Sequence, residues 1–202
     1  IYDYLTREGA NYELEEIIKQ HPDLDKLYPG SINTIRVITI ITTDDNKPYI
    51  SIPAEKRKNA KLKCRVVYAC CRIGNGKCID NFTSGGMVTP VDEKTGIIKY
   101  PAMDKKKHIY EKHPVTDCKI PGFQLPYWNE VLEMCKKASF EIPEIGYVGW
   151  DVAITPTGPV FVEGNELPGY DLCQLPIHSP DNIGAMPKFD FANADKYKIT
   201  TK

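Results

Sequence analysis

The chain has 202 residues, 42% of them hydrophobic, and its 26 Lys and Arg against 27 Asp and Glu leave a net charge of −1, enough chain for a substantial core in one domain or two small ones. No basic excess points to nucleic acid, no apolar run approaches the ~20 residues of a membrane span, and no signal peptide is evident. Seven cysteines, an odd number, include a cluster of Cys64, Cys70, Cys71 and Cys78 that fits no zinc spacing, so reduced thiols in a cytoplasmic protein are the economical expectation, and none is marked as a nucleophile.

Taken in chain order, residues 1–9 read as a short helix or loop, and residues 12–18, YELEEII, as a strand. A connection holding Pro22 and Pro29 leads to SINTIRVITII, residues 31–41, an apolar strand with one charge, Arg36, and residues 48–52 as its expected partner. EKRKNAKLK, residues 55–63, reads as a solvated helix or loop. A second antiparallel pair is expected at 62–73 and 77–82, and a hairpin at 87–100, where DEKTG supplies the turn. Trp128, Val131, Leu132 and Cys135 recur at helical spacing within 123–140, which predicts an amphipathic helix opening after Pro126. From Gln174 on, Pro, Gly and His interrupt the pattern, and the tail is expected to be loose from about residue 189. No internal repeat is present.

The most informative segment is YVGWDVAITPTGPVFVEGNELPG, residues 147–169. Two apolar runs, 147–154 and 159–162, flank a Thr-Pro-Thr-Gly turn, which predicts a β-hairpin. A hairpin symmetric about Thr157 sets Asp151 opposite Glu163 and Ala153 opposite Phe161. With side chains alternating faces, Trp150, Val152, Ile154, Val160 and Val162 form the core face, while Asp151, Glu163 and Asn165 share the other. Opposed carboxylates repel, and a divalent cation removes that cost; an all-oxygen set of this kind suits Mg²⁺ or Mn²⁺. Two exposed hairpin carboxylates with separate partners would read the same, and a one-residue slip would part them.

Arg36 supplies the planar, permanently charged donor that phosphate recognition needs, although an edge-strand Arg reaching solvent would look alike. Arg72 has the same rationale. Gly85-Gly86, after Asn81, Thr83 and Ser84, is either a plain turn or a place where backbone N–H groups approach an anion. His21, His108 and His178 are expected to be exposed and structural, and Trp128 and Trp150 to be core or interface aromatics.

The string GWDVAITPTGPVFVEGNELPG resembles the metal-binding end of the ATP-grasp ligases, where an Asp on one strand is followed by a Gly turn, a Glu-x-Asn and a Pro-Gly; Asp151, Glu163, Asn165, Pro168 and Gly169 fill those places. Upstream, residues 12–18 resemble the strand that lines the adenine pocket and hinges the two subdomains, which would place Glu15, Glu16, Ile17 and Ile18 at the nucleotide. Residues 31–41 resemble the strand whose Arg, here Arg36, reaches the phosphates or the transferring phosphoryl group. CRIGNGKCIDNFTSGGM, residues 71–87, resembles the Arg, Asn and Gly-Gly segment of the glutamate-adding ligases, which implies Arg72, Asn81, Gly85 and Gly86 near phosphate and acceptor. NTIRV, DNFTSGG, the His-Pro-x-Thr at 113–116, GWDVAI, VEGN and Gln174 together are similar to the ATP-grasp group associated with sugar transfer.

The resemblance implies an α+β fold, the C-terminal part of an ATP-grasp domain with an antiparallel sheet flanked by helices. It implies an ATP- and Mg²⁺-dependent carboxylate–amine or carboxylate–nucleophile ligase working through an acylphosphate, with two Mg²⁺ ions, Mn²⁺ being possible, in polysaccharide or cell-surface sugar biosynthesis. Partners would be ATP, a small-molecule carboxylate and a nucleophilic acceptor. The chain opens about a dozen residues before the hinge segment without an initiator Met, so a preceding subdomain bearing phosphate-binding lysines is expected, and the chain alone is expected to be inactive. A nucleotide-binding or scaffold domain of a polysaccharide-assembly protein, and a kinase built on the same cleft, remain as other readings.

Overall fold

Ile, Val and Thr crowd the central run IRVITIITT, and β-branched side chains of this kind favour a pleated, packed strand. In the computed structural model, which describes residues 16–57, 59–76, 80, 82–180 and 183–189, that run is β1 (Ile35–Thr43). It is followed by β2 (Leu62–Ile73), β3 (Met87–Pro90), β4 (Ala102–Asp104), β5 (Ile109–Tyr110), β6 (Tyr147–Thr155) and β7 (Gly158–Glu166). The strands pair antiparallel in the order β5-β4-β3-β2-β1-β6-β7. Helices α1 (Pro22–Leu27), α2 (Ala54–Arg57), α3 (Trp128–Glu141) and α4 (Met186–Phe189) complete the described elements. Among the described residues no helix is long and apolar enough to cross a membrane.

Alternation along β1 divides the two faces of the sheet. Ile35 and Val37 join Ala69, Cys71, Val152 and Ile154 against the buried stripe of α3, Trp128, Val131 and Cys135. Ile38 joins Tyr68, Cys70 and Val88 on the other face, under Cys173 and Ala185. Polar groups buried beneath α3 are paired: the Trp150 indole N–H donates to Thr39 Oγ1 at 2.9 Å, and Thr39 and Ser139 hydroxyls lie 2.8 Å apart. Such satisfaction is what makes burial of these groups affordable.

Several expectations hold and several are corrected. The helix after Pro126 and the span of β2 stand where the sequence places them. The 87–100 hairpin closes around DEKTG: Gly96 N–H donates to Asp92 O at 2.9 Å, and Val91 bridges Ile98. The partners of β1, however, are β2 and β6, not residues 48–52. Pro48, which has no N–H to give a ladder, makes one bridge to Thr42, and Tyr49–Ser51 turn as a 3₁₀ helix. β2 pairs with β3, and of the expected partner 77–82 the two described residues, Asp80 and Phe82, stand outside any strand. Asp80 spends its carboxylate on the distant Thr34, and Phe82–Ser84 form a 3₁₀ turn. Lys77, Cys78 and Ile79 lie outside the described residues.

The connection with Pro22 holds α1: Pro22 opens it, His21 Nδ1 accepts the Asp23 N–H at 3.1 Å, and Leu24 and Leu27 are fully buried. Of the expected hinge strand only residues 16–18 are described, and they follow no regular structure. Glu15 and residues 1–9 lie outside the described residues, as does the tail beyond Phe189.

Candidate functional site

The hairpin β6–β7 closes on a two-residue loop, with Thr155 opposite Gly158. A regular ladder from that loop would set Asp151 against Val162. A bulge at Val162 absorbs one residue, and Asp151 faces Glu163 after all. The extra residue re-aims the strand end. Ala153 consequently faces Val160, not Phe161. Val160, Phe161 and Val162 are 36%, 38% and 49% exposed, which corrects the expectation that Val160 and Val162 are core: β7 is the edge of the sheet, and only one side of it is covered.

The register then runs a single row across five strands, Pro90, Cys70, Arg36, Asp151 and Glu163. Asp151 is 2% exposed, and its carboxylate is fully engaged. Arg36 Nε donates to Oδ1 and a terminal nitrogen of the same guanidinium to Oδ2 at 2.7 Å, while Arg72 donates to Oδ2 at 2.7 Å. Arg72 also lies 3.6 Å from Asp80, whose other oxygen accepts the Thr34 N–H at 2.9 Å and the Thr34 hydroxyl. Burial pulls the Arg36 guanidinium pKa down, but the hydrogen bonds and charge of Asp151 outweigh it and raise the pKa.

Glu163 and Asn165 lie toward solvent on β7, joined by an amide-to-carboxylate bond of 3.0 Å. Gly149 makes the corner possible. A Cβ there would stand 2.7 Å from Pro168 Cβ and 3.1 Å from Arg36 Cδ, so Pro168 and the Arg36 stem pack where a larger residue would stand.

Of the residues expected to bind nucleotide, Glu16, Ile17 and Ile18 line one side of a cleft of about 670 Å³ whose other side is Thr155, Pro156 and the exposed Val160–Val162 stretch. Gly85 takes φ +105° and Gly86, the residue before β3, is buried. Asn81 lies outside the described residues.

His113 does not face a binding cleft. It is 1% exposed, its Nε2 sits 2.8 Å from Gly74 O, its Nδ1 accepts the Val115 N–H at 3.2 Å, and it stacks on Tyr28. Burial pushes its pKa down. His178, expected at the surface, is buried against Pro101 O. Burial pushes Cys70 and Cys135 up to about 12 and Cys173 to about 11, so these thiols stay protonated and unreactive.

Sequence reasoning missed two residues of the site. Asp80 anchors Arg72, and its signal was a lone acid beside the motif residue Asn81. Gly149 had a fainter one, a residue without a side chain between Val148 and Trp150.

Among the described residues no three His, Cys, Asp or Glu side chains stand together as a metal cluster. Of the expected ligands Glu163 and Asn165 offer hard oxygen atoms toward solvent, in the small number that suits Mg²⁺ shared with phosphates, while the Asp151 carboxylate beside them is held by Arg36 and Arg72. Two guanidinium groups and three carboxylates leave the cluster one negative charge, so the residues fit a divalent cation, with Glu163 and Asn165 the accessible contacts.

A family profile described as sugar-transfer associated ATP-grasp matches residues 5–180. No curated protein and no solved structure matches the chain. A match over most of the sequence, on a seven-stranded antiparallel sheet with flanking helices, is sufficient: the chain belongs to the sugar-transfer associated ATP-grasp family and has its α+β fold.

Proposed function

We propose that the protein is an ATP- and Mg²⁺-dependent ligase that joins a carboxylate to an amine or related nucleophile through an acylphosphate, in the assembly of a polysaccharide or cell-surface sugar. The observation that carries this reading is the row of Arg36, Asp151 and Glu163 across three adjacent strands. Glu163, Asn165 and Asp151 would hold Mg²⁺, which when bound neutralises phosphate charge during transfer. Glu16, Ile17 and Ile18 would hold the adenine against the apolar edge of β7. Arg36 would stabilise charge on the transferring group, and Arg72, Asn81, Gly85 and Gly86 would orient phosphate and acceptor. Positioning and fixed charge then supply most of the rate. Lysines of a preceding ATP-grasp subdomain would complete the phosphate contacts. The six free cysteines among the described residues accord with a reducing, cytoplasmic setting.

A nucleotide-binding scaffold without ligase chemistry is the second reading, and the engagement of both Asp151 oxygens by arginine favours it. Acid-dependent ADP release with formation of an amide or ester separates the two. The ligase reading requires that Glu163→Gln in the full-length protein abolish both; unchanged release and product in that variant overturns it.

A further inference from the structure

The sheet edge far from the nucleotide cleft carries a concentration of positive charge that the ligase reading does not use. Lys105, Lys106, Lys107 and His108 follow one another in the turn between β4 and β5, in a protein whose net charge is −1. All four are exposed. None of the three lysines pairs with a carboxylate among the described residues. Unpaired like charges held side by side repel, and a dianion between them relieves that repulsion.

The turn is pinned, not loose. The Asp104 carboxylate, 7% exposed, accepts the His108 N–H at 2.9 Å and the Tyr110 hydroxyl at 3.0 Å, and lies 2.9 Å from His108 Nδ1. Lys107 sits in the left-handed region at φ +69°, and its N–H donates to Asp104 O at 3.0 Å. β4 in turn pairs with β3, which begins two residues after Gly85. The lysines therefore stand on backbone fixed relative to the Gly85 loop.

Between the two lies a cleft of about 380 Å³, lined by Asn75, Thr83, Gly85, Lys105, Lys106 and His108 together with Asp104 and Tyr110, the Asp104 carboxylate being bonded to His108 and Tyr110. At Gly85 nothing lies within 4 Å of where a Cβ would be, which leaves main chain open to close approach. Ammonium groups, an amide, a hydroxyl and bare backbone are the complement of a phosphate, which offers several acceptors and about two charges. The cleft shares no lining residue with the one beside Glu16–Lys19, and the two lie at opposite edges of the sheet, with Arg72 and Arg36 between them. We propose that this cleft binds the phosphate of a soluble phosphorylated sugar, so that one substrate of the ligation is a phosphate ester. The sugar part of the assignment rests on the sugar-transfer reading; the phosphate part rests on the cleft.

The test is isothermal titration of the protein with glucose 1-phosphate and with glucose at fixed ionic strength, using wild type, Lys105→Gln/Lys106→Gln, and a control, Lys136→Gln/Lys137→Gln, on α3. Each protein is also titrated with a nonhydrolysable ATP analogue and Mg²⁺. Saturable binding of the phosphate ester but not of glucose, weakened at least about tenfold in the Lys105/Lys106 variant and unchanged in the control, is the expected result. No saturable binding, or equal affinity in variant and control, overturns the proposal. So does capture on vesicles containing an anionic phospholipid without binding of the soluble ester. Loss of ATP-analogue binding in all three proteins with retention of the ester pattern would refute the ligase reading and leave the phosphate site standing.

Discussion

Replacing Asp151 by Asn removes one charge from the middle of an Arg36–Asp151–Arg72 cluster while keeping the shape of the side chain. The Asp151 side chain is 3% exposed and the two arginines 15% and 13%, so the guanidinium charges left behind are only partly hydrated. Removing one partner from a buried ion pair costs about 3–5 kcal/mol. Here Arg72 keeps Asp80 at 3.6 Å and the amide oxygen still accepts one N–H, which sets the expected loss at the lower end, about 3 kcal/mol. In a chain of this size that lowers Tm by about 6–12 °C. Urea unfolding followed by the emission of Trp128 and Trp150 measures it, run as a cycle with Arg36→Met and the double variant. Because Arg36 and Asp151 touch, the double variant is expected to lose less than the two singles together, by at least about 1 kcal/mol. Additivity within about 0.5 kcal/mol would mean that the pair is not coupled, and the picture of Asp151 as the keystone of the row would be wrong.

Gly149→Ala forces a methyl against Pro168 and the Arg36 stem, and a loss of about 1–3 kcal/mol is expected in the same unfolding assay; a neutral result would show that Pro168 does not sit over β6. Burial depresses the pKa of His113 and of His178 below the ordinary 6.5. A histidine kept neutral in the fold contributes stability above the unfolded pKa, and that contribution is lost as pH falls below about 6.5 toward the depressed folded values. Urea midpoints should therefore drop through that window, less steeply in His113→Gln, and parallel curves for the two proteins would contradict the burial of a neutral ring. Asp80→Asn removes the charge facing Arg72 and leaves one acceptor oxygen where Arg72 and Thr34 now use two; stability should fall by about 1–3 kcal/mol, and an unchanged urea midpoint would remove Asp80 from the site.

The facing of Asp151 and Glu163 was legible because period-two alternation and a Pro-Thr turn constrain a short hairpin to very few registers. It was legible in part by compensation: the loop is shorter than a centre at Thr157 implies, and the Val162 bulge restores the offset. A bulge leaves little trace in composition. Val160 and Val162 look like core in a pattern that cannot tell an edge strand from a central one, since that depends on whether another strand lies beyond β7. Arg36 stood out as a lone charge in an apolar strand, yet its partner, 115 residues away, is fixed only when β1 and β6 pair. The same holds for Arg72 and Asp80. Helix α3 needed no such information, because its stripe is written within fourteen residues.

The most direct test of the ATP-grasp site is titration of the protein with a nonhydrolysable ATP analogue, with and without Mg²⁺, in wild type and in Glu163→Gln. Glu163 is exposed, and among the described residues its side chain is bonded by the Asn165 amide alone, so the substitution should leave the fold intact. Binding that depends on Mg²⁺ and is lost in Glu163→Gln is the predicted result; binding that is indifferent to both the metal and the substitution would contradict the account.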